Sequence, residues 1–364
     1  MKVLFTTNIL AFYRVDFFNE LGKKCDLKVI YEQDKNKERN AKFYDFNNKH
    51  YKVEKAKFSI RYFNKLLEEK FDIIIIGTYA TKISALFMML MKLKKVKFII
   101  NADGGFIDLR ENKISKFLKT FFISKASYYL SSGKETTKYL NYYGAKKNIF
   151  EYPFTSIFEK ELLKKLLTSK EKKDIRKQLE IKCECMFLSV GRFIYGKGYD
   201  IFLDAIKNHK FDNVLFVLIS GGEEKENYEK FMKENNIKNV LLIDYCTKEE
   251  LKKYYQASDV FFFPSRKDVW GLVINEAMAN GLPIISSNNV IASKELLSKE
   301  YLYECNNSKE LYKLINKLYK MNKKDRNKIG QQNLNKIKEY TIETMVNKHL
   351  EIFKRIINEK DKRI

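Results

Sequence analysis

The chain has 364 residues, 45% of them hydrophobic and 32% charged, with only 14 Gly and 3 Pro. That composition excludes collagen-like, low-complexity and disordered chains, and the length suits about two domains. Lys and Arg number 70 against 46 Asp and Glu, a net charge of +24; residues 1–150 carry 30 basic and 15 acidic residues, a net +15.

The charge of the first half points to a polyanion or an anionic membrane; the alternative is a lysine-rich surface without a partner. Five cysteines, at 25, 183, 185, 246 and 305, form no C-x-x-C pair. Neither a disulfide framework nor a structural zinc site is expected, and a reducing compartment follows. Val3-Leu4-Phe5 is too short for a secretory core, and the apolar run Ile83–Met91 is too short to span a bilayer. The expected location is the cytosol or the inner face of the cell membrane.

The first half opens with a buried-strand run, Lys2–Thr6, then a helix near Tyr13–Lys23 and a strand at Asp26–Tyr31. Asp72–Gly77 reads as a strand ending in a turn, Thr81–Lys94 as a helix and Lys97–Asn101 as a strand. Such β-branched runs between helices predict a parallel sheet covered on both faces. Ile114, Phe117, Leu118, Phe121 and Phe122 recur at helical spacing among Lys113, Lys116, Lys119 and Lys125. This is either a basic membrane-surface helix or a domain helix with its apolar face in the core. Tyr13, Arg14 and Thr78 follow first-half strands and are candidate acceptor-side residues.

Glu151–Ser156 reads as an extended connector, and Glu159–Leu179 as a Lys/Glu-rich helix. The sequence thus divides into a first domain at 1–158 and a second from 159 onward. In the second half, strands are expected at Met186–Val190, Val214–Ser220, Asn239–Asp244, Val260–Phe263, Pro283–Ser286 and Tyr301–Glu304. Helices fall between them at Tyr199–Lys207, Glu223–Asn235, Lys248–Gln256, Gly271–Ala279 and Ala292–Leu297, and helical pattern runs from Lys309 onward. The alternation predicts a doubly wound Rossmann-type sheet.

Two loops of this half carry chemistry. After the strand ending at Val190 come Gly191, Arg192, Gly196, Lys197 and Gly198. Two cations on a glycine-bent loop suit a diphosphate; the bland alternative is a solvated basic loop. After Phe263-Pro264-Ser265, Asp268 precedes the start of a helix at Gly271-Leu272, and Glu276 lies on that helix. A helix N-terminus favours an anion, and carboxylates bind hydroxyl pairs of sugars or riboses. Otherwise Asp268 caps the helix and Glu276 is a surface charge.

Three blocks together resemble the donor-binding domain of retaining family-4 glycosyltransferases, which have the GT-B fold. They are Val190-Gly191-Arg192 with Lys197-Gly198; Ile219-Ser220-Gly221-Gly222-Glu223 with the segment through Tyr245; and Pro264-Ser265 through Glu276-Ala277-Met278-Ala279 to Gly281 and Pro283. The resemblance implies two Rossmann-like domains facing a central cleft, the first binding the acceptor and the second, at 159–340, the nucleotide sugar, with a closing helix at 341–364 (Ile342–Ile357) returning to the first domain. It implies that Arg192 and Lys197 contact the donor diphosphate, that Asp268 contacts the transferred sugar and that Glu276 binds the ribose. Gly271 and Leu272 would hold phosphate through their main chain, Tyr245 would lie by the base, and Gly191, Gly222 and Trp270 would complete the donor site.

The sequence departs from the family in places. Asp268 replaces the usual Glu and Val269-Trp270 a common Gly-Phe pair. The Thr7–Ala11 loop lacks paired glycines. No His stands at the first-domain strand end where many members carry one, and Asp103, in Asn101-Ala102-Asp103-Gly104-Gly105, is the candidate there; the alternative is that this stretch is only a tight turn.

The implied function is transfer, with retention, of a hexosyl or N-acetylhexosaminyl unit from a nucleotide diphosphate sugar to a lipid-linked glycan acceptor. The setting is surface polysaccharide synthesis, such as capsule or O-antigen. A UDP-sugar is expected in preference to a GDP-sugar, and no metal or other cofactor, because two side-chain cations supply the charge. The other partner expected is an anionic membrane surface. A nucleotide-sugar epimerase or a phosphorylase on the same fold is the alternative. Nucleic acid is not an expected partner, because the basic residues are spread over many helices without a binding motif.

Overall fold

The computed structural model describes residues 1–34 and 49–361. Runs that are apolar at successive positions, such as Ile73–Ile76, have no polar face to turn to water, so they end up inside parallel sheets. The first sheet is built from β1 (Lys2–Ile9), β2 (Asp26–Gln33), β3 (Lys52–Lys55), β4 (Ile73–Ile76), β5 (Ile99–Ala102), β6 (Tyr128–Ser131) and β7 (Ile149–Glu151). Its order is β3-β2-β1-β4-β5-β6-β7, with every pairing parallel. The second sheet holds β8 (Cys185–Val190), β9 (Val214–Ile219), β10 (Val240–Ile243), β11 (Val260–Phe263), β12 (Ile284–Ser287) and β13 (Leu302–Tyr303). It runs β10-β9-β8-β11-β12-β13, again all parallel. Both are doubly wound Rossmann-like sheets, each reversing direction beside its first strand: between β1 and β4, and between β8 and β11.

Contacts divide the chain into two units, Met1–Ser156 with Tyr340–Ile364, and Ile157–Glu339. In the first unit, helices α1 (Phe12–Gly22), α2 (Ile60–Glu68), α3 (Lys82–Leu93), α4 (Lys113–Ile123) and α5 (Lys134–Tyr142) connect the strands. Its core stacks Phe63 on Phe87 at 4.5 Å among buried Leu4, Ile74, Ile100 and Leu140. In the second unit, α6 (Ser169–Gln178), α7 (Tyr199–Ile206), α8 (Lys225–Glu234), α9 (Lys248–Ala257), α10 (Leu272–Ala279), α11 (Ile291–Leu296), α12 (Ser308–Lys320) and α13 (Lys323–Ile337) surround the sheet. Phe202 packs there against Phe216 and Phe262.

Two helical expectations need correction. Glu159–Leu179 is not one helix. A single turn at Glu159–Glu161 is followed by non-helical chain whose Leu163 amide donates to the Ala279 carbonyl (3.0 Å). The helix starts at Ser169 because Thr168 and Glu171 cap each other reciprocally. The helical pattern after Lys309 is likewise broken, where Asn322 caps α13 and Thr341 exchanges hydrogen bonds with Thr344. The third helix of this run, α14 (Ile342–Asp361), packs on α1 within the first unit; residues 362–364 of the expected closing helix lie outside the described residues.

At the α1–α14 contact, His349 is fully buried between Phe17 (4.8 Å) and Tyr152 (4.5 Å). Its Nδ1 lies 2.8 Å from the Met345 carbonyl, which can only accept, so the proton sits on Nδ1. Nε2 has no partner. Burial, opposed by the Met345 bond, pushes its pKa down to about 4; Arg14 disfavours the charge further and Asp103 favours it. The unfolded chain therefore binds the proton first as pH falls, and the stabilisation by neutral His349 is complete above pH 6.5 and lost progressively toward pH 4. The whole term is about 3 kcal/mol. Denaturation of wild type and His349→Gln between pH 7 and 4.5 is expected to show the steeper loss in wild type; parallel curves contradict it.

Candidate functional site

In a doubly wound sheet, ligands bind beyond the carboxyl ends of the strands at the switch point. In the second unit, the loops there are Gly191–Gly198 after β8 and Pro264–Gly271 after β11, the two loops singled out by their chemistry. They interlock. The Arg266 amide donates to the Gly196 carbonyl (2.9 Å), and the Ser265 hydroxyl donates to the same oxygen (3.1 Å). Gly198 takes φ +70° at the start of α7, where a Cβ would lie 2.1 Å from the Pro264 carbonyl oxygen, so only glycine lets the loops meet. The Arg266 guanidinium forks onto Asp200 (2.7 and 2.6 Å), lies 3.8 Å over the Tyr195 ring and donates to the Tyr195 carbonyl. Arg266 thus fixes the turn that carries Lys197.

Lys197 Nζ donates to Asp268 Oδ2 at 2.6 Å, and both side chains are largely shielded from water. The other Asp268 oxygen accepts from the Trp270 amide (3.2 Å). Asp268 does not cap α10, because its main chain bridges to Val290 and the N-cap is Gly271, at φ +99°. Arg192, half-buried, stands two residues beyond β8.

Glu276 is half-buried on α10 and accepts from the Tyr255 hydroxyl at 2.9 Å. Tyr255 is buried on α9, and burial together with the Glu276 charge pushes its pKa far up, so it stays protonated and donates to that carboxylate. Nothing in the sequence links residues 21 apart on different helices, so this positioning partner was not anticipated. On the expectation that Glu276 binds a ribose, Tyr255→Phe weakens nucleotide binding about fivefold, the worth of one hydrogen bond, with kcat little changed. Unchanged affinity in a titration contradicts this role.

The remaining donor-side candidates divide. Gly191, Gly222, Gly271 and Leu272 lie on the loops and helix start at the strand ends, and Tyr245 is partly exposed after β10. The Trp270 side chain is a correction: it is 2% exposed and its indole N–H is bonded to buried Asn275 (2.9 Å). A core position for the ring leaves only the main chain of this residue for a donor.

In the first unit, Asp103 does follow β5, but it is neither a free base nor a bare turn residue. One carboxylate oxygen pairs with Arg14; the other accepts from Tyr152 (2.6 Å) and Asn101 (2.8 Å). Arg14, expected at an accessible acceptor surface, is buried between the rings of Phe5 and Phe154. Burial works against its charge, but Asp103, Tyr152 and Tyr13 outweigh that and raise its pKa. The pair is a structural hub. Tyr13, edge-on to Phe154, and Thr78, after β4, are half-buried. Among the described residues, no group of three His, Cys, Asp or Glu is placed to hold a metal ion.

Residues 171–336 match the family model of the glycosyl transferases group 1. Over 111 residues the chain is 38% identical to a 41.2 kDa protein of the cps region of Klebsiella pneumoniae, covering 30% of this chain and 29% of that one. It is 30% identical over 143 residues to a glycosyltransferase of Methanocaldococcus jannaschii (35% and 40% covered). With the O-antigen biosynthesis glycosyltransferase WclY of Escherichia coli it shares 28% over 155 residues (41% and 40%). The chain spans between about a quarter and two fifths of the length of these relatives. Among solved structures, Anabaena HepE in complex with UDP superposes with a TM-score of 0.79 at 15% identity, covering 98% of this chain and 100% of that one. The lipopolysaccharide glycosyltransferase WaaG gives 0.66 at 13% (96% and 99%). The fold is the α/β GT-B fold.

Proposed function

We propose that this chain, whose residues 171–336 belong to the glycosyl transferases group 1 family, is a glycosyltransferase that moves a hexosyl or N-acetylhexosaminyl unit from a nucleotide diphosphate sugar to a glycan acceptor. The observation that carries the reading is the grouping at one switch point of a cation pinned by a carboxylate (Lys197 on Asp268), a helix start at Gly271-Leu272, and a second carboxylate held by Tyr255. Breaking a glycosyl–phosphate bond leaves an oxocarbenium-like sugar and an anionic nucleotide. Arg192, Lys197 and the α10 amides stabilise that anion, Asp268 takes sugar hydroxyls and Glu276 the ribose. No metal is required where two side-chain cations meet the diphosphate, and transfer proceeds with retention. UDP is the preferred carrier, as in the UDP complex of HepE.

The E. coli relative acts in O-antigen biosynthesis and the Klebsiella one comes from a cps region, which favours a surface polysaccharide and a lipid-linked acceptor. Helix α4 fits an acceptor at a membrane: Ile114 and Phe117 are 67% and 66% exposed, Leu109 just before it is 83% exposed, and four lysines flank them. We place this face on an anionic inner leaflet. Sedimentation with phosphatidylglycerol vesicles at low salt is expected to carry the protein down, and Leu109→Ser with Phe117→Ser to leave it in solution; no binding by wild type removes the membrane role.

The function itself is tested by incubating the protein with UDP- and GDP-sugars, with and without a lipid-linked glycan. Acceptor-dependent release of the nucleoside diphosphate supports transfer. Conversion of the donor alone to an isomer, or phosphate-dependent cleavage, shows an epimerase or phosphorylase instead.

A further inference from the structure

We infer that Asp268 is an internal competitor for the donor diphosphate, holding Lys197 when the site is empty and reclaiming it as the nucleoside diphosphate product departs. The inference rests on the reading above and adds a step to it. The same ammonium that is to meet phosphate lies 2.6 Å from a carboxylate. The two partners differ in freedom. The Asp268 main chain is clamped, its N–H on the Asn289 carbonyl (3.1 Å) and its C=O under the Ile291 amide (3.3 Å), and its second oxygen holds the Trp270 amide. Lys197 sits on a four-carbon stem with its ammonium 5.0 Å above the Phe263 ring. When a diphosphate arrives, the lysine is therefore the group that moves.

The consequence differs for donor and product. With the donor bound, sugar hydroxyls donate to the carboxylate and replace the ammonium it has lost. With the product bound, the sugar is gone, and Asp268 faces phosphate with neither cation nor hydroxyl. A shielded carboxylate left without a partner draws the ammonium back, so the lysine returns and the product is released. The site thereby binds its donor better than its product.

The test is a titration of UDP, with GDP in parallel, into wild type, Asp268→Asn, Lys197→Met and the double variant. Asparagine keeps the volume of Asp268 and its acceptor for the Trp270 amide, but not the charge. Asp268→Asn is expected to bind the nucleoside diphosphate roughly tenfold more tightly than wild type, and the gain to vanish in the Lys197→Met background, a coupling between neighbours. Equal or weaker binding by Asp268→Asn, or a gain that survives in the double variant, overturns the inference while leaving the transferase reading intact. Failure of wild type to bind either nucleotide overturns both.

Discussion

Arg192→Ala lowers turnover by ~10²–10³-fold while the protein stays folded, if anion stabilisation dominates the reaction. The residue lies two positions beyond β8, beside the switch point, on the loop whose following turn, at Tyr195–Lys197, is held by Arg266. Its fork of donors matches the geometry of a diphosphate, and the charge there grows as the glycosyl bond breaks. The interaction is then stronger in the transition state than in the bound donor, so the loss falls on kcat more than on KM. Lysine at this position restores charge without the fork and recovers only part of the rate. An undiminished kcat in purified, folded Arg192→Ala rejects the role.

Arg176→Met destabilises the second unit by ~3 kcal/mol, the cost of taking from buried carbonyls and a buried carboxylate the donor they share. Arg176 is 3% exposed on α6, and its guanidinium donates to the carbonyls of Ala257 and Glu184 (2.7–2.9 Å) and to Asp259. Asp259 also holds the Met186 amide at the start of β8 (2.9 Å). One side chain thus ties α6, the α9–β11 connection and the strand that leads into the Arg192 loop. Lys172, 3.6 Å from Asp259, leaves that carboxylate a counter-charge but cannot replace the guanidinium's bonds to the Ala257 and Glu184 carbonyls. Chemical denaturation measures the loss, and a change below about 1 kcal/mol contradicts it.

The second sheet was legible in the sequence because its strands are continuous apolar runs, such as Val260–Phe263, which only a doubly covered parallel sheet accommodates. β3, with lysines at both ends of four residues, and α5, of low apolar content, carry no such signal and went unread. The split of Glu159–Leu179 was hidden because propensity favours helix throughout, whereas the Leu163 bond to Ala279 is a tertiary contact. The two loops that meet at the second switch point were legible from residue type and spacing. Which of their side chains face inward was not. The Trp270 ring fills the core because Asn275, five residues on, offers its indole an acceptor there. Asp103 was placed at the right strand end, but its partners come from α1 and from beyond β7, which spacing along β5 does not reveal. On α4 the periodicity did not tell which apolar residues are covered: Phe122 packs against the core, whereas Ile114, Phe117 and Leu118 are exposed.

The most direct test is a crystal structure of the protein with UDP bound. The diphosphate is expected about 3 Å from the Arg192 guanidinium, the Lys197 ammonium and the main-chain amides at Gly271-Leu272, with the ribose hydroxyls on Glu276. A nucleotide seated elsewhere, or one bound here with Arg192 and Lys197 both out of reach of its phosphates, contradicts the account.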